Sequence, residues 1–288
     1  MTRDSVTIYE VGPRDGLQGL PKLSAEDKIR YINLLSETGL RFIEAVSFVN
    51  PAFIPQTGDA LEVALGIERK HGVTYSALLP SKYYYQQAKE ANIPEIAVFI
   101  SANEWHNRNN HGRGIDDTKP KLEDVMQLAT ADGKKVRGYI STVFGYHSPD
   151  DTPVSKVIEI SNWYLEKGVY QISLGDTNGV ADSRLVKERL KELFAEVNLD
   201  NFALHLHTQK DSMKIKIETA FDLGVRTFDS SCGGIGGCPT DALLANVDTL
   251  ELAGFLEREG KRYGVSTGID LDKLAKADEY VRTLIQRT

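Results

Sequence analysis

Eight short runs of β-branched and aromatic residues alternate with amphipathic helical patterns along the 288-residue chain, and this alternation constrains the fold more than any other feature. The strand-like runs are 6–11, 42–48, 74–80, 95–101, 136–144, 170–176, 202–208 and 227–232. Helical patterns fall between them at 25–38, 59–71, 82–91, 119–132, 154–167, 182–196, 211–223 and 240–260, and a last one at 270–286 closes the chain. In the first of these, Ile29, Ile32, Leu34 and Leu35 make one apolar stripe, with Ser24 placed as N-cap and Gly39 as a C-terminal stop. Strands joined by crossover helices lie parallel in one sheet. Eight such units predict an α/β fold, a (β/α)8 TIM barrel, with a C-terminal helical extension. A doubly wound open sheet is the alternative. No linker, low-complexity tract or composition break divides the sequence, which predicts a single catalytic domain over 1–288.

Composition narrows the function classes. The net charge of −7 argues against nucleic acid or an anionic membrane as partner. No apolar run approaches the roughly 20 residues that span a bilayer. Two cysteines, Cys232 and Cys238, do not make a disulfide framework. The first ten residues carry neither an apolar signal core nor an Arg/Ser-rich transit segment. Together these features predict a cytoplasmic protein.

Barrels of this type keep their chemistry at the C-terminal ends of the strands. His205-Leu206-His207 ends the seventh predicted strand. Side chains two apart share a strand face, so both imidazoles point one way, into the lumen, while Leu204 and Leu206 face the helices. Such a pair is a platform for a metal, although taken alone it is more often a pair of satisfied polar residues. Asp15 follows the first strand, and only strand 8 separates strands 1 and 7 in a closed barrel. A carboxylate there can join the two histidines, although an Asp before Gly16 is also a common turn residue. Two His and a carboxylate with open positions suit Mg2+ or Mn2+, with Zn2+ or Fe2+ as alternatives.

Glu10-Val11-Gly12-Pro13-Arg14-Asp15-Gly16-Leu17-Gln18 resembles the N-terminal signature of the hydroxymethylglutaryl-CoA lyase family, within the metal-dependent barrels that include isopropylmalate and homocitrate synthases. The likeness continues in order through Ile43-Glu44, Ser47 to Pro51, Pro55-Gln56 and Asp59. Ser173 to Thr177, His205 and His207, Asp229 to Ser231, and Gly236-Gly237-Cys238-Pro239 extend it over nearly the whole barrel. The resemblance implies metal binding by Asp15, His205, His207 and Asn246, and contact of Arg14 with a thioester carbonyl. It implies a mobile-loop cysteine, Cys238, that transfers a proton. The activity implied is divalent-metal-dependent cleavage of a 3-hydroxy-3-substituted acyl-CoA into acetyl-CoA and a keto acid by a retro-Claisen step. In it Arg14 stabilises the enolate oxygen. Homo-oligomer formation is left open.

Glu44 and Asp176 are candidates for acid–base catalysis or for support of the metal ligands, and Glu44 reads equally well as a structural ion pair inside the barrel. Gln18, Ser47 and Thr177 are candidate substrate contacts. The glycine run 233–237 suits a loop that closes over the site or, alternatively, a phosphate cradle. The sequence departs from the lyase pattern after His207, where Thr208-Gln209-Lys210-Asp211 stands, and after Pro239, where one residue fewer precedes Asn246. Asp241 or water is the alternative to Asn246 in the metal shell. These departures, with Lys210 among them, suggest a substrate related to hydroxymethylglutaryl-CoA but not identical with it. Lys22 reads as a solvated charge. A condensing transferase acting on an acyl-CoA and a 2-oxo acid, and a non-catalytic metal-binding barrel, are the two other readings.

Overall fold

The computed structural model describes residues 5–208, 210–237 and 245–287. Its strands are β1 (Thr7–Glu10), β2 (Phe42–Ser47), β3 (Thr74–Leu78), β4 (Glu95–Ser101), β5 (Lys135–Ser141), β6 (Gln171–Asp176), β7 (Phe202–Thr208) and β8 (Thr227–Ser230). Each pairs in parallel with the next, and β8 pairs with β1, so the sheet closes into a barrel. The expected (β/α)8 architecture is the one observed. Between the strands lie α1 (Ala25–Ser36), α2 (Ala60–Gly66), α3 (Tyr85–Glu90), α4 (Glu104–His111), α5 (Ile115–Ala131), α6 (Val154–Glu166), α7 (Ser183–Glu196) and α8 (Lys210–Asp222). After β8 come a two-residue strand, β9 (Ala245–Asn246), then α9 (Thr249–Tyr263) and α10 (Leu271–Arg287). No helix among the described residues is long and apolar enough to cross a membrane.

The elements form for local reasons. Ser24 Oγ accepts the Asp27 amide at 3.1 Å and so caps α1, as its position predicts. The inward stripe of α1 (Tyr31, Ile32, Leu35) packs on the barrel wall. The last helix, α10, buries Leu274, Ala277, Val281 and Leu284 at helical spacing and lies against α1 and α9. The main apolar core fills the shell between strands and helices.

The barrel lumen is different in kind. Below the mouth it is filled by polar and aromatic side chains rather than branched aliphatics. Arg137 is wholly buried there, 2.6 Å from Asp229, 2.9 Å from Gln171 Oε1, and stacked between the rings of Tyr9 and Tyr139 at 3.9 and 4.7 Å. Tyr9 donates to Glu95 and lies 2.7 Å from the Ser76 hydroxyl, and Tyr170 donates to Glu95. Every one of these charges has an opposite charge or a donor beside it, as burial demands.

Three expectations are corrected. Among the described residues of the helix expected over 240–260, α9 starts at Thr249, and Ala245 and Asn246 instead form β9, antiparallel to β7 with His207 opposite Asn246. At Ala245 and Asn246 tertiary pairing overrides helical propensity. The helix α4, absent from the sequence reading, is capped by Asn103, whose side chain accepts the His106 amide, and ended by the left-handed Gly112. The helix expected at 119–132 starts at Ile115, after Gly114, and carries Pro120 inside it.

Candidate metal centre and active site

The chain leaves β1 through a single wide turn, Gly12–Gly16, in which the amides of Gly16 and Leu17 reach back five residues to the carbonyls of Val11 and Gly12. Such π-turns are rare and cluster at functional sites. This one swings Arg14 and Asp15 over the barrel mouth. A Cβ at Gly16 would sit 2.5 Å from Ile235 and 2.6 Å from Ser231, so only glycine lets the turn pack this closely on the loop after β8. Glu10 ties the same region together. Its carboxylate accepts the Gly12 and Cys232 amides at 2.7 and 3.0 Å and the Thr249 hydroxyl at 2.6 Å. Burial outweighs these bonds and pushes it up to about 7.

Asp15, His205 and His207 come together as the sequence predicts: one ligand atom from each lies within 4.8 Å of the others. Asp15 Oδ1 accepts from Arg14 at 2.6 Å and Gln18 at 3.1 Å, and Oδ2 accepts from Asn246 at 2.7 Å. Burial opposes its charge, but Arg14, the imidazoles and Asn246 together hold it down at about 2.

The imidazoles themselves test whether a cation fits. His207 Nδ1 lies 2.6 Å from the Thr177 carbonyl, which can only accept, so Nδ1 carries the proton. His205 Nδ1 faces the Asp229 carboxylate at 3.3 Å and carries its proton for the same reason. In the neutral rings both Nε2 atoms are therefore bare lone pairs, and they face each other at 3.1 Å with neither able to donate. Protonation is a poor remedy, because burial and the neighbouring His205 push His207 down to about 4. A divalent cation bound jointly by both nitrogens and Asp15 removes the conflict, and the outer hydrogen bonds are those that orient metal-binding histidines. The donor set fits a divalent metal.

Asn246 lies beside this group. Its Nδ2 is occupied by Asp15 and by the Ile235 carbonyl at 3.0 Å, which leaves Oδ1 as the atom able to face a cation. Arg14 Nε donates to Glu44 at 2.6 Å and Nη1 to Asp15, so Nη2 has no partner among the described residues. Its charge is reinforced by Glu44 and Asp15 against the cost of burial. A cavity of about 510 Å³ opens above these groups. Arg14, Asp15, Gln18, Ser47, Thr177, His205 and His207 line one end. Val49, Phe53, Leu78, Tyr84 and Phe99 give it apolar lining, and Asn110, His111, Arg113 and Lys121 line it as well.

Two candidates for proton transfer do not line the cavity. Glu44 is wholly buried behind Arg14, where Tyr139 also donates to it at 3.0 Å, and burial pushes it upward. It is the ion pair inside the barrel that the sequence allowed as its other role. Asp176 faces outward. Strand alternation turns Ser173 and Gly175 inward and Asp176 towards α8, where Lys216 Nζ lies 3.7 Å away. Burial pushes Asp176 up to about 6 despite that lysine, and its carboxylate accepts the Ala181 amide, bracing the turn that carries Thr177. Lys22 is exposed and away from the cavity. Cys238 and Asp241 lie outside the described residues, as does the side chain of Lys210.

Sequence reasoning missed Tyr139, Arg137 and the role of Asp229. The signal was present: Arg137 and Asp229 are charges at lumen-facing positions of otherwise apolar strands, and Asp229 stands opposite His205 in the β7–β8 register.

Comparison with known proteins adds a family context. A family model described as HMGL-like matches residues 5–281. A hydroxymethylglutaryl-CoA lyase of Bacillus subtilis is 40% identical over 278 residues, 96% of this chain and 92% of that protein. The crystal structure of a Bacillus subtilis HMG-CoA lyase superposes with a TM-score of 0.93 at 39% identity, covering 98% of this chain and 94% of that one. An HMG-CoA lyase from Acinetobacter baumannii, in complex with coenzyme A and 3-methylmalate, superposes with a TM-score of 0.90 at 30% identity, covering 99% and 93%.

Proposed function

The chain belongs to the HMGL-like family and is a carbon–carbon lyase, and from this premise we propose that it cleaves hydroxymethylglutaryl-CoA into acetyl-CoA and a keto acid. The observation that carries the metal-dependent reading is the pair of facing imidazole nitrogens, 3.1 Å apart, next to Asp15 and Arg14. Asp15, His205 and His207 would hold the cation, Mg2+ or Mn2+, with Asn246 Oδ1 as a fourth protein donor. When bound, the cation orients the substrate hydroxyl and lowers its pKa.

The remaining work falls to side chains. Asp229 and the Thr177 carbonyl keep both imidazoles in the Nδ1–H form, so that their Nε2 atoms face the site. Glu44 and Asp15 fix two edges of the Arg14 guanidinium, which leaves Nη2 to the cavity. The substrate hydroxyl gives its proton to solvent in the open cavity and its carbon becomes the keto carbonyl; the electron pair of the broken C–C bond moves into a thioester enolate, and Arg14 Nη2 donates to the developing oxyanion. Tyr139 supports Arg14 from below, with its ring 5.3 Å from the guanidinium carbon. Cys238 carries the proton that converts the enolate to acetyl-CoA. Gln18, Ser47 and Thr177 contact the acyl group at the metal end. The apolar lining of the cavity takes the pantetheine arm.

The test is acetyl-CoA release from hydroxymethylglutaryl-CoA by chelator-stripped protein, with and without added Mn2+ or Mg2+. Release that requires the cation supports the reading. No release with metal, together with cleavage of another 3-hydroxyacyl-CoA, replaces the substrate while keeping the chemistry. No cleavage of any such thioester overturns the assignment.

A further inference from the structure

The two histidines are oriented by different means. Asp229 holds His205 with a side chain, whereas His207 is held by a main-chain carbonyl, that of Thr177. A carbonyl is present whatever residue occupies position 177, so only its position can be encoded. One tie on that position stands out. Thr177 Oγ1 accepts the Thr142 amide at 2.9 Å, from the end of β5 to the end of β6.

Thr142 is unusual. It is wholly buried, and its φ is +62°, a left-handed conformation that a β-branched residue adopts only under constraint. Its own side chain supplies the constraint. Oγ1 donates to the Ser141 carbonyl at 2.6 Å, accepts the Asn103 amide at 3.1 Å and lies 2.8 Å from Ser101 Oγ. The ends of β4 and β5 thus grip one hydroxyl. With its hydroxyl so held, Thr142 is fixed in place and its N–H donates to Thr177 Oγ1. Strained residues held by their surroundings are found at functional rims, and this one stands one link from a metal donor.

We propose that Thr142 is a positioning residue for the metal centre: its left-handed backbone places the Thr177 carbonyl and, through it, fixes the ring plane and Nδ1–H tautomer of His207. This rests on the metal-binding reading above. Thr177 also lines the cavity, so turnover alone cannot test it.

The experiment measures Mn2+ affinity by calorimetry and the His207 imidazole nitrogen shifts by NMR in the metal-free protein. Thr177→Val removes the acceptor and Thr142→Val removes the oxygen that holds the strain. Each should weaken Mn2+ binding about tenfold and reduce the Nδ1–H share at His207. Thr177→Ser and Thr142→Gly keep the acceptor and the amide, and glycine adopts the positive φ freely; both should stay within about twofold of the parent. Parental affinity and tautomer in both valine variants would overturn the proposal, and so would a glycine variant as impaired as Thr142→Val. If Thr142→Val does not fold, the Val and Ser variants at Thr177 decide. A parent chain that binds no Mn2+ overturns the metal reading instead, while the metal-free imidazole spectrum still decides this one.

Discussion

Asp229→Asn separates two roles of one carboxylate. Asp229 accepts from Arg137 at 2.6 and 3.2 Å, from Ser173 Oγ at 2.7 Å, and faces His205 Nδ1 at 3.3 Å, with no solvent in reach. Asparagine keeps the shape and removes the charge. Arg137 is then a buried cation without its counter-ion, which costs about 3–5 kcal/mol of stability. At roughly 2–4 °C per kcal/mol for a chain of this size, Tm should fall by about 6–20 °C. Loss of the carboxylate that fixes the His205 tautomer should separately weaken Mn2+ binding about 10–100-fold. A double replacement, Arg137→Met with Asp229→Leu, distinguishes the two effects. Removing both charges should restore most of the stability, because the ion pair as a whole contributes little beyond a well-packed apolar pair, yet His205 is still without its orienting partner. Scanning calorimetry and Mn2+ titration give the two readouts. A single variant with the parental Tm, or a double variant that regains parental Mn2+ affinity, would refute this account.

Glu10 should give a distinctive pH signature. Its folded pKa of about 7 lies above the ordinary 4.5, so the folded state binds the extra proton between those values and stability falls as pH rises from about 4.5 to about 7. The gap corresponds to about 3 kcal/mol, and urea unfolding of Glu10→Gln should show that much less slope across this window. Gly236→Ala should disrupt the metal centre from outside it: φ is +75°, and a Cβ would stand 2.8 Å from Gly16 and 2.9 Å from the Asp15 carbonyl. Mn2+ affinity should drop with modest change in Tm, and an unchanged affinity counts against the tight packing of the two loops. Cys238→Ala should abolish acetyl-CoA release while leaving Mn2+ affinity within about twofold, since no metal donor is lost; surviving turnover would remove Cys238 from proton transfer.

The barrel and its metal donors were legible because both rest on short-range periodicity. Alternation along β7 put His205 and His207 on one face, and strand order placed Asp15 nearby. The same rule, applied to β6, turns Asp176 outward, so the motif likeness that marked it as an acid–base candidate pointed to a residue the geometry puts against Lys216. Glu44 illustrates the opposite limit: alternation turns it into the lumen two residues after Phe42, but its pairing with Arg14 is a contact with the turn after β1 that periodicity does not reveal. Asn246 sat in a helix-like run whose strand pairing with β7 is a long-range contact. Thr142 was silent, because a left-handed φ at a β-branched residue leaves no mark in composition or spacing.

The facing nitrogens of His205 and His207 also tie the fate of the folded chain to metal supply. Their repulsion burdens only the folded, metal-free state, since the unfolded chain lets the rings part. Cation binding therefore adds to folding stability as well as to chemistry, by about 2.7 kcal/mol at a free concentration one hundred times Kd. Metal starvation should then shorten the lifetime of the protein and not merely slow its turnover, which makes protease resistance a direct gauge of how fully the site is loaded.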